Sequence, residues 1–192
     1  MKKLLTIAIL VFMSSFAFSS ETFVNRDTEP ADTDHALLTR TLSEDFLHIK
    51  THQGKEYLLA SHQTVTGSSS WYVLITTPAT PTIHFSWSAS SDVASHVHFS
   101  EEPNASGGTA YTIQNRNRNS TSTTSMTIAS GPTYTSAGTS LSEHSLIGAK
   151  KEGGLTTSDE WILKPSTEYL FTFTATTATA AETDFEFRWF EY

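Results

Sequence analysis

The clearest signal along this chain is a period of two. Ile83, Phe85 and Trp87 alternate with His84, Ser86 and Ser88, so one face of the segment is apolar and the other polar. That is the pattern of a half-buried β-strand. Val97 and Phe99 repeat it against His96 and His98, and Phe171 and Phe173 against Thr172 and Thr174. Near the C-terminus Phe185, Phe187 and Trp189 alternate with Glu186, Arg188 and Phe190. Two shorter apolar runs, Tyr57 to Ala60 and Trp71 to Ile75, complete the set.

Turn chemistry punctuates these runs at Pro78 and Pro81, Pro103-Asn104, Gly107-Gly108, Gly131-Pro132, Gly153-Gly154 and Lys164-Pro165. Many short strands at this spacing, without a long helical period, predict an all-β domain over residues 54–192. The expected architecture is an antiparallel β-sandwich, jelly-roll-like. Glu21 to about Asp45 is polar and acidic with little periodicity, and residues 20–53 are expected to form a linker or extended N-terminal arm. Within it, Ser43 is placed to cap a short helix running to Lys50.

The first nineteen residues read as an address. Lys2 and Lys3 precede a continuous apolar run from Leu4 to Met13, and Ala17-Phe18-Ser19 sets small residues before a cut after Ser19. The run is short of the roughly 20 residues that span a bilayer. A signal segment over 1–19, a secreted, extracellular or virion-associated location, and no membrane association after its removal are the expectations.

Composition narrows the chemistry. The 192 residues include no cysteine, which excludes a disulfide framework, a thiol nucleophile, a thiolate metal site and a lipoprotein anchor. The net charge of -8 becomes -10 once Lys2 and Lys3 are removed. An acidic chain repels phosphate backbones, so nucleic acid is not an expected partner.

His96 and His98 put two imidazoles on one strand face about 7 Å apart. A metal would need a third ligand from His84 or Glu101; the pattern alone describes a polar, His-rich face, and neither metal nor cofactor is expected. The neighbours Glu101-Glu102 and Asp159-Glu160 face opposite sides of a strand, so neither makes a catalytic carboxylate pair. Nucleophile-elbow, phosphate-loop and dinucleotide glycine patterns are missing, and no enzymatic activity is expected.

The sequence Asn115-Arg116-Asn117-Arg118-Asn119 is the basic spot in an acidic chain. Its guanidinium forks suit a partner's carboxylate or phosphate, and they suit equally a carboxylate on a neighbouring loop. Asn115, Arg116, Asn117 and Arg118 are therefore the candidate binding residues. Asn104-Ala105-Ser106 and Asn119-Ser120-Thr121 match the glycosylation sequon. Trp71, Trp87, Trp161 and Trp189 suit a core, while Trp71 or Trp161 exposed in a concave site would make a sugar-stacking platform.

Several short motifs carry a likeness: Thr76-Thr77-Pro78, Phe99-Ser100-Glu101-Glu102-Pro103, Gly108-Thr109 before the Asn/Arg run, Gly131-Pro132-Thr133 and Gly138-Thr139. They continue with Glu160-Trp161-Ile162-Leu163-Lys164-Pro165, Thr167-Glu168-Tyr169-Leu170 and Trp189-Phe190-Glu191. Over residues 54–192 the chain resembles small β-sandwich virion proteins of tailed phages, head-decoration or structural proteins. The resemblance implies a non-enzymatic role in coating or extending a particle surface as a homo-oligomer. Its partners would be its own copies or a repetitive protein surface. The export signal departs from that family's pattern and points toward an exported or cell-surface assembly. The alternative reading is a secreted carbohydrate-binding, lectin-like module with glycan as its partner.

Overall fold

A computed structural model describes residues 46–147, 154–157 and 160–192. The expected signal segment and the expected arm up to residue 45, Ser43 included, lie outside the described residues, as does Asp159. A short helix, α1 (Phe46–His52), opens the described chain. It ends two residues beyond the expected Lys50. Gly54, at φ +67°, supplies the left-handed residue that terminates it, and Gln53 N–H still donates to the Ile49 carbonyl at 3.0 Å.

The strands follow in order: β1 (Glu56–Val65), β2 (Ser70–Thr76), β3 (Ile83–Ser91), β4 (Ser95–Glu101), β5 (Asn104–Ser106), β6 (Thr109–Ala110) and β7 (Gln114–Asn115). Then come β8 (Thr127–Ser130), β9 (Thr133–Ser136), β10 (Thr139–Leu146), β11 (Gly154–Thr157), β12 (Trp161–Leu163), β13 (Glu168–Ala175) and β14 (Ala181–Glu191).

One sheet has the order β11-β3-β14-β1-β7, with β12 also on β3; the other runs β10-β4-β13-β2-β8-β6. All pairings are antiparallel. β1 pairs with β14, β2 with β13, β3 with β11 and β12, and β4 with β10. The chain is thus one long hairpin rolled so that successive strands alternate between two sheets, which is a jelly roll. The expected all-β antiparallel sandwich is the observed fold. A two-stranded ribbon, β5 with β9, is inserted between β4 and β10.

The alternation of the sequence becomes the core. Ile83, Phe85, Trp87 and Ala89 of β3 and Phe185, Phe187 and Trp189 of β14 point inward from the first sheet. Val97 and Phe99 of β4 and Tyr169, Phe171 and Phe173 of β13 meet them from the second. Rings interlock between the layers: Phe171 meets Phe187 edge-on at 5.0 Å, and Phe85 stacks on Phe99 at 5.6 Å. Offset and edge-to-face pairs of this kind add about 0.5–1.5 kcal/mol each beyond the area they bury.

Among the described residues three outward hydrophobic side chains are buried too. Leu74 and Leu170 pair across β2 and β13 on the outer face, beside the β5–β9 ribbon whose Tyr134 ring packs on Tyr72 at 4.5 Å. Phe190, outward on β14, lies under His84, which stacks on it at 4.4 Å.

Candidate functional site

The Asn/Arg segment is built on a buried carboxylate. Glu56 opens β1 on the outer face of its sheet, yet its side chain is 0% exposed. α1 supplies Thr51, whose hydroxyl donates to Glu56 Oε2. Arg116 donates from Nη1 to Glu56 Oε1 at 2.7 Å, and Arg188 of β14 donates from Nε to the same oxygen at 2.5 Å. Burial by itself raises the carboxyl's pKa, but the hydrogen bonds from Thr51, Arg116 and Arg188 outweigh it and hold the group below its ordinary range. Two guanidinium groups on one buried oxygen satisfy the condition for keeping a carboxylate ionised inside a fold.

The backbone follows. Arg116 N–H donates to the Glu56 carbonyl at 2.9 Å, and β7 adds to the edge of β1 at Tyr57 and Leu58. Asn115 donates from Nδ2 to the carbonyls of Gly54 at 2.8 Å and Ser122 at 3.0 Å, while its Oδ1 accepts from Asn117 N–H at 2.9 Å. Asn117 repeats the device: its Nδ2 donates to the His52 carbonyl at 3.1 Å and its Oδ1 accepts from Asn119 N–H at 3.1 Å. These successive Asx turns close the bend with side-chain amides. Gly54 lies directly beneath: a Cβ there would approach Ser120 Oγ to 2.3 Å. The structure therefore gathers all four candidate residues into one turn. Asn115, Arg116 and Asn117 use it to grip α1 and β1. Arg118 is exposed and donates to Gln114 Oε1 at 2.6 Å.

On the same outer face, farther along β1, lies a shallow groove of ≈ 470 Å³ lined by Ala60, His62, Ser88, Ser90, Asp184 and Glu186. His62 is held between two carboxylates of β14, with Nε2 at 2.7 Å from Glu182 and Nδ1 at 3.0 Å from Asp184. Hydrogen bonding to Asp184, then to Glu182, raises its pKa, so the imidazole keeps its proton above the ordinary value. Thr64 also donates to Glu182, at 3.0 Å. The sequence signal for this clamp was the same-face pair Glu182 and Asp184, but its register with His62 is set by 120 residues of intervening chain.

The opposite sheet presents His96 and His98, each beside a different serine: His98 Nε2 is 2.8 Å from Ser140 Oγ, and His96 Nδ1 is 3.2 Å from Ser145 Oγ. Among the described residues no three His, Asp or Glu side chains gather in a metal-binding group. Glu101 accepts from Lys164 Nζ at 2.5 Å and from the Tyr169 hydroxyl at 3.2 Å. Burial, with Glu101 beside it, pushes the Tyr169 phenol up to about 12. Glu160 accepts from His84 at 2.7 Å.

Trp87 and Trp189 are core residues. Trp71 is half-buried with its ring 4.9 Å from Phe185, and half-buried Trp161 lies 6.1 Å from Phe99. Comparison with protein-family models, curated proteins and solved structures finds no match to this chain.

Proposed function

We propose that the domain is a non-enzymatic, surface-coating β-sandwich that packs on its own copies or on a repetitive protein surface and contacts it through the Asn115–Ser120 turn. The observation that carries this reading is the preordering of that turn. Asn115, Asn117 and Arg116 fix it on Gly54, His52 and the buried Glu56, while the Arg118 guanidinium faces solvent. A contact made by a turn that is already ordered costs little conformational entropy on binding. An exposed guanidinium at its tip suits carboxylates of a neighbouring subunit.

Density-gradient sedimentation of native culture supernatant, with the chain quantified by peptide mass spectrometry, tests the role. Co-migration with particles at a copy number comparable to a shell protein is expected, as is loss of co-migration in Arg118→Ala at unchanged melting temperature. Recovery solely as free protein would overturn it.

A further inference from the structure

We infer that the edge of β1 left uncovered among the described residues pairs antiparallel with the same edge of a second copy, about a twofold axis at His62. β1 is bonded to β14 along all ten of its residues in one unbroken register. On its other side β7 covers only Tyr57 and Leu58, and among the described residues no strand pairs with Leu59 to Val65. Proteins blunt such edges with charged side chains, lysine above all, with prolines, inward charges or bulges. The segment Leu59-Ala60-Ser61-His62-Gln63-Thr64-Val65 has no lysine, proline, inward charge or bulge, and its one charged group, His62, is paired with Glu182 and Asp184 of β14. An edge this long and straight is built to be covered.

The segment's own sequence selects the occupant. Read outward from His62 its inward-facing positions match in type: Ser61 answers Gln63 and Leu59 answers Val65. Antiparallel pairing about His62 sets Leu59 against Val65 and Ser61 against Gln63 on the inner face. On the outer face it sets Ala60 against Thr64. On the inner face apolar Leu59 meets apolar Val65 and polar Ser61 meets polar Gln63, the self-complementarity that a twofold interface requires, and the small Ala60 leaves room for Thr64 on the outer face.

A His62–His62 pair would be the exception, and the structure disposes of it. Both His62 and Thr64 are tied back onto β14 by Glu182 and Asp184, away from the edge, and those carboxylates offset the imidazolium charge. The pairing uses the end of β1 remote from the Asn115–Ser120 turn, so it stands whether or not the chain coats a particle.

The chain lacks cysteine, so one introduced thiol reports on one position. Residues facing each other across an antiparallel pair have Cα atoms about 4.5–5.5 Å apart, within disulfide reach. Full-length His62→Cys is expected to form a disulfide-linked dimer under mild oxidation on the order of a hundredfold faster than Thr179→Cys, an exposed loop position. That ratio reflects an effective concentration of about 1 mM in the dimer against collision at about 10 μM chain. Analytical ultracentrifugation of the unmodified chain is expected to give a dimer at the same concentrations. Equal cross-linking rates for the two cysteines, or a monomeric unmodified chain, would overturn the inference. Sedimentation with particles reads the coating role separately.

Discussion

Glu56 is a charge the fold has enclosed, and its energetics follow from what remains when a partner is removed. Loss of one partner from a fully buried pair costs about 3–5 kcal/mol. Arg116 is 38% exposed and Arg188 shares the same oxygen, so the cost here is smaller. Arg116→Ala is expected to lower unfolding free energy by about 2 kcal/mol in urea titration, in keeping with the upper range for a hydrogen bond to a charged group. Arg118→Ala, whose exposed side chain donates to Gln114, is expected to stay within about 0.5 kcal/mol of the parent. Equal losses in the two variants would mean that Glu56 does not organise the turn. Gly54→Ala attacks the same junction from below, since it combines a left-handed φ with a collision on Ser120. A loss of 1 kcal/mol or more, on the order of the strain of a non-glycine residue in that region, is expected from thermal melting.

The strands divide by how much of their structure a local pattern carries. β3, β13 and β14 bury one face and wet the other, so alternation located them and named their inward residues. The rolled-hairpin order was foreshadowed only as a class, because β1 and β14 meet across 120 residues through a register that local sequence does not contain. β10 was not located, since Thr139–Leu146 lies at a sheet border with one buried side chain, Leu146, and offers little hydrophobic contrast. Leu74, Leu170 and Phe190 sit at outward positions, and alternation gives no reason for their burial; His84 stacks over the third, and on the face of the first two Tyr134 of the ribbon packs on Tyr72. The Asn/Arg segment was legible as a site of arginine forks, with both uses of the forks open. The carboxylate that takes Arg116 lies sixty residues upstream in sequence. At this scale the interlocked rings make the sharpest prediction. Phe187→Ala, fully buried against Phe85, Phe171 and Phe185, is expected to cost about 3–5 kcal/mol, whereas Ile162→Thr, on a residue 67% exposed, is expected to change stability by less than about 0.5 kcal/mol. Guanidinium denaturation of the two variants checks both.

For the whole molecule, two charged devices on one sheet face work in opposite directions with pH. The folded pKa of Glu56 lies below its ordinary 4.5, so its stabilisation is complete above pH 4.5 and disappears as pH falls through the depressed value. The folded pKa of His62 lies above its ordinary 6.5, so its contribution is complete below pH 6.5 and disappears as pH rises through the raised value. Both are fully present between pH 4.5 and 6.5. Above that window His62 loses its proton while Glu182 and Asp184 keep their charges, and the face becomes more negative on a chain already at -8. Self-repulsion then works in the same direction as the lost clamp. Melting temperature measured from pH 3 to 9 is therefore expected to peak inside the window. Glu56→Gln should flatten the acid limb and leave the alkaline limb in place, and His62→Gln should do the reverse. Because the His62 side chain is 56% exposed, salt should shrink its limb, while the enclosed Glu56 keeps its own. A parent curve that is flat above pH 6.5 would remove both alkaline contributions, and a His62→Gln curve that still falls there as steeply as the parent would remove His62 and leave the net negative charge as the sole alkaline term.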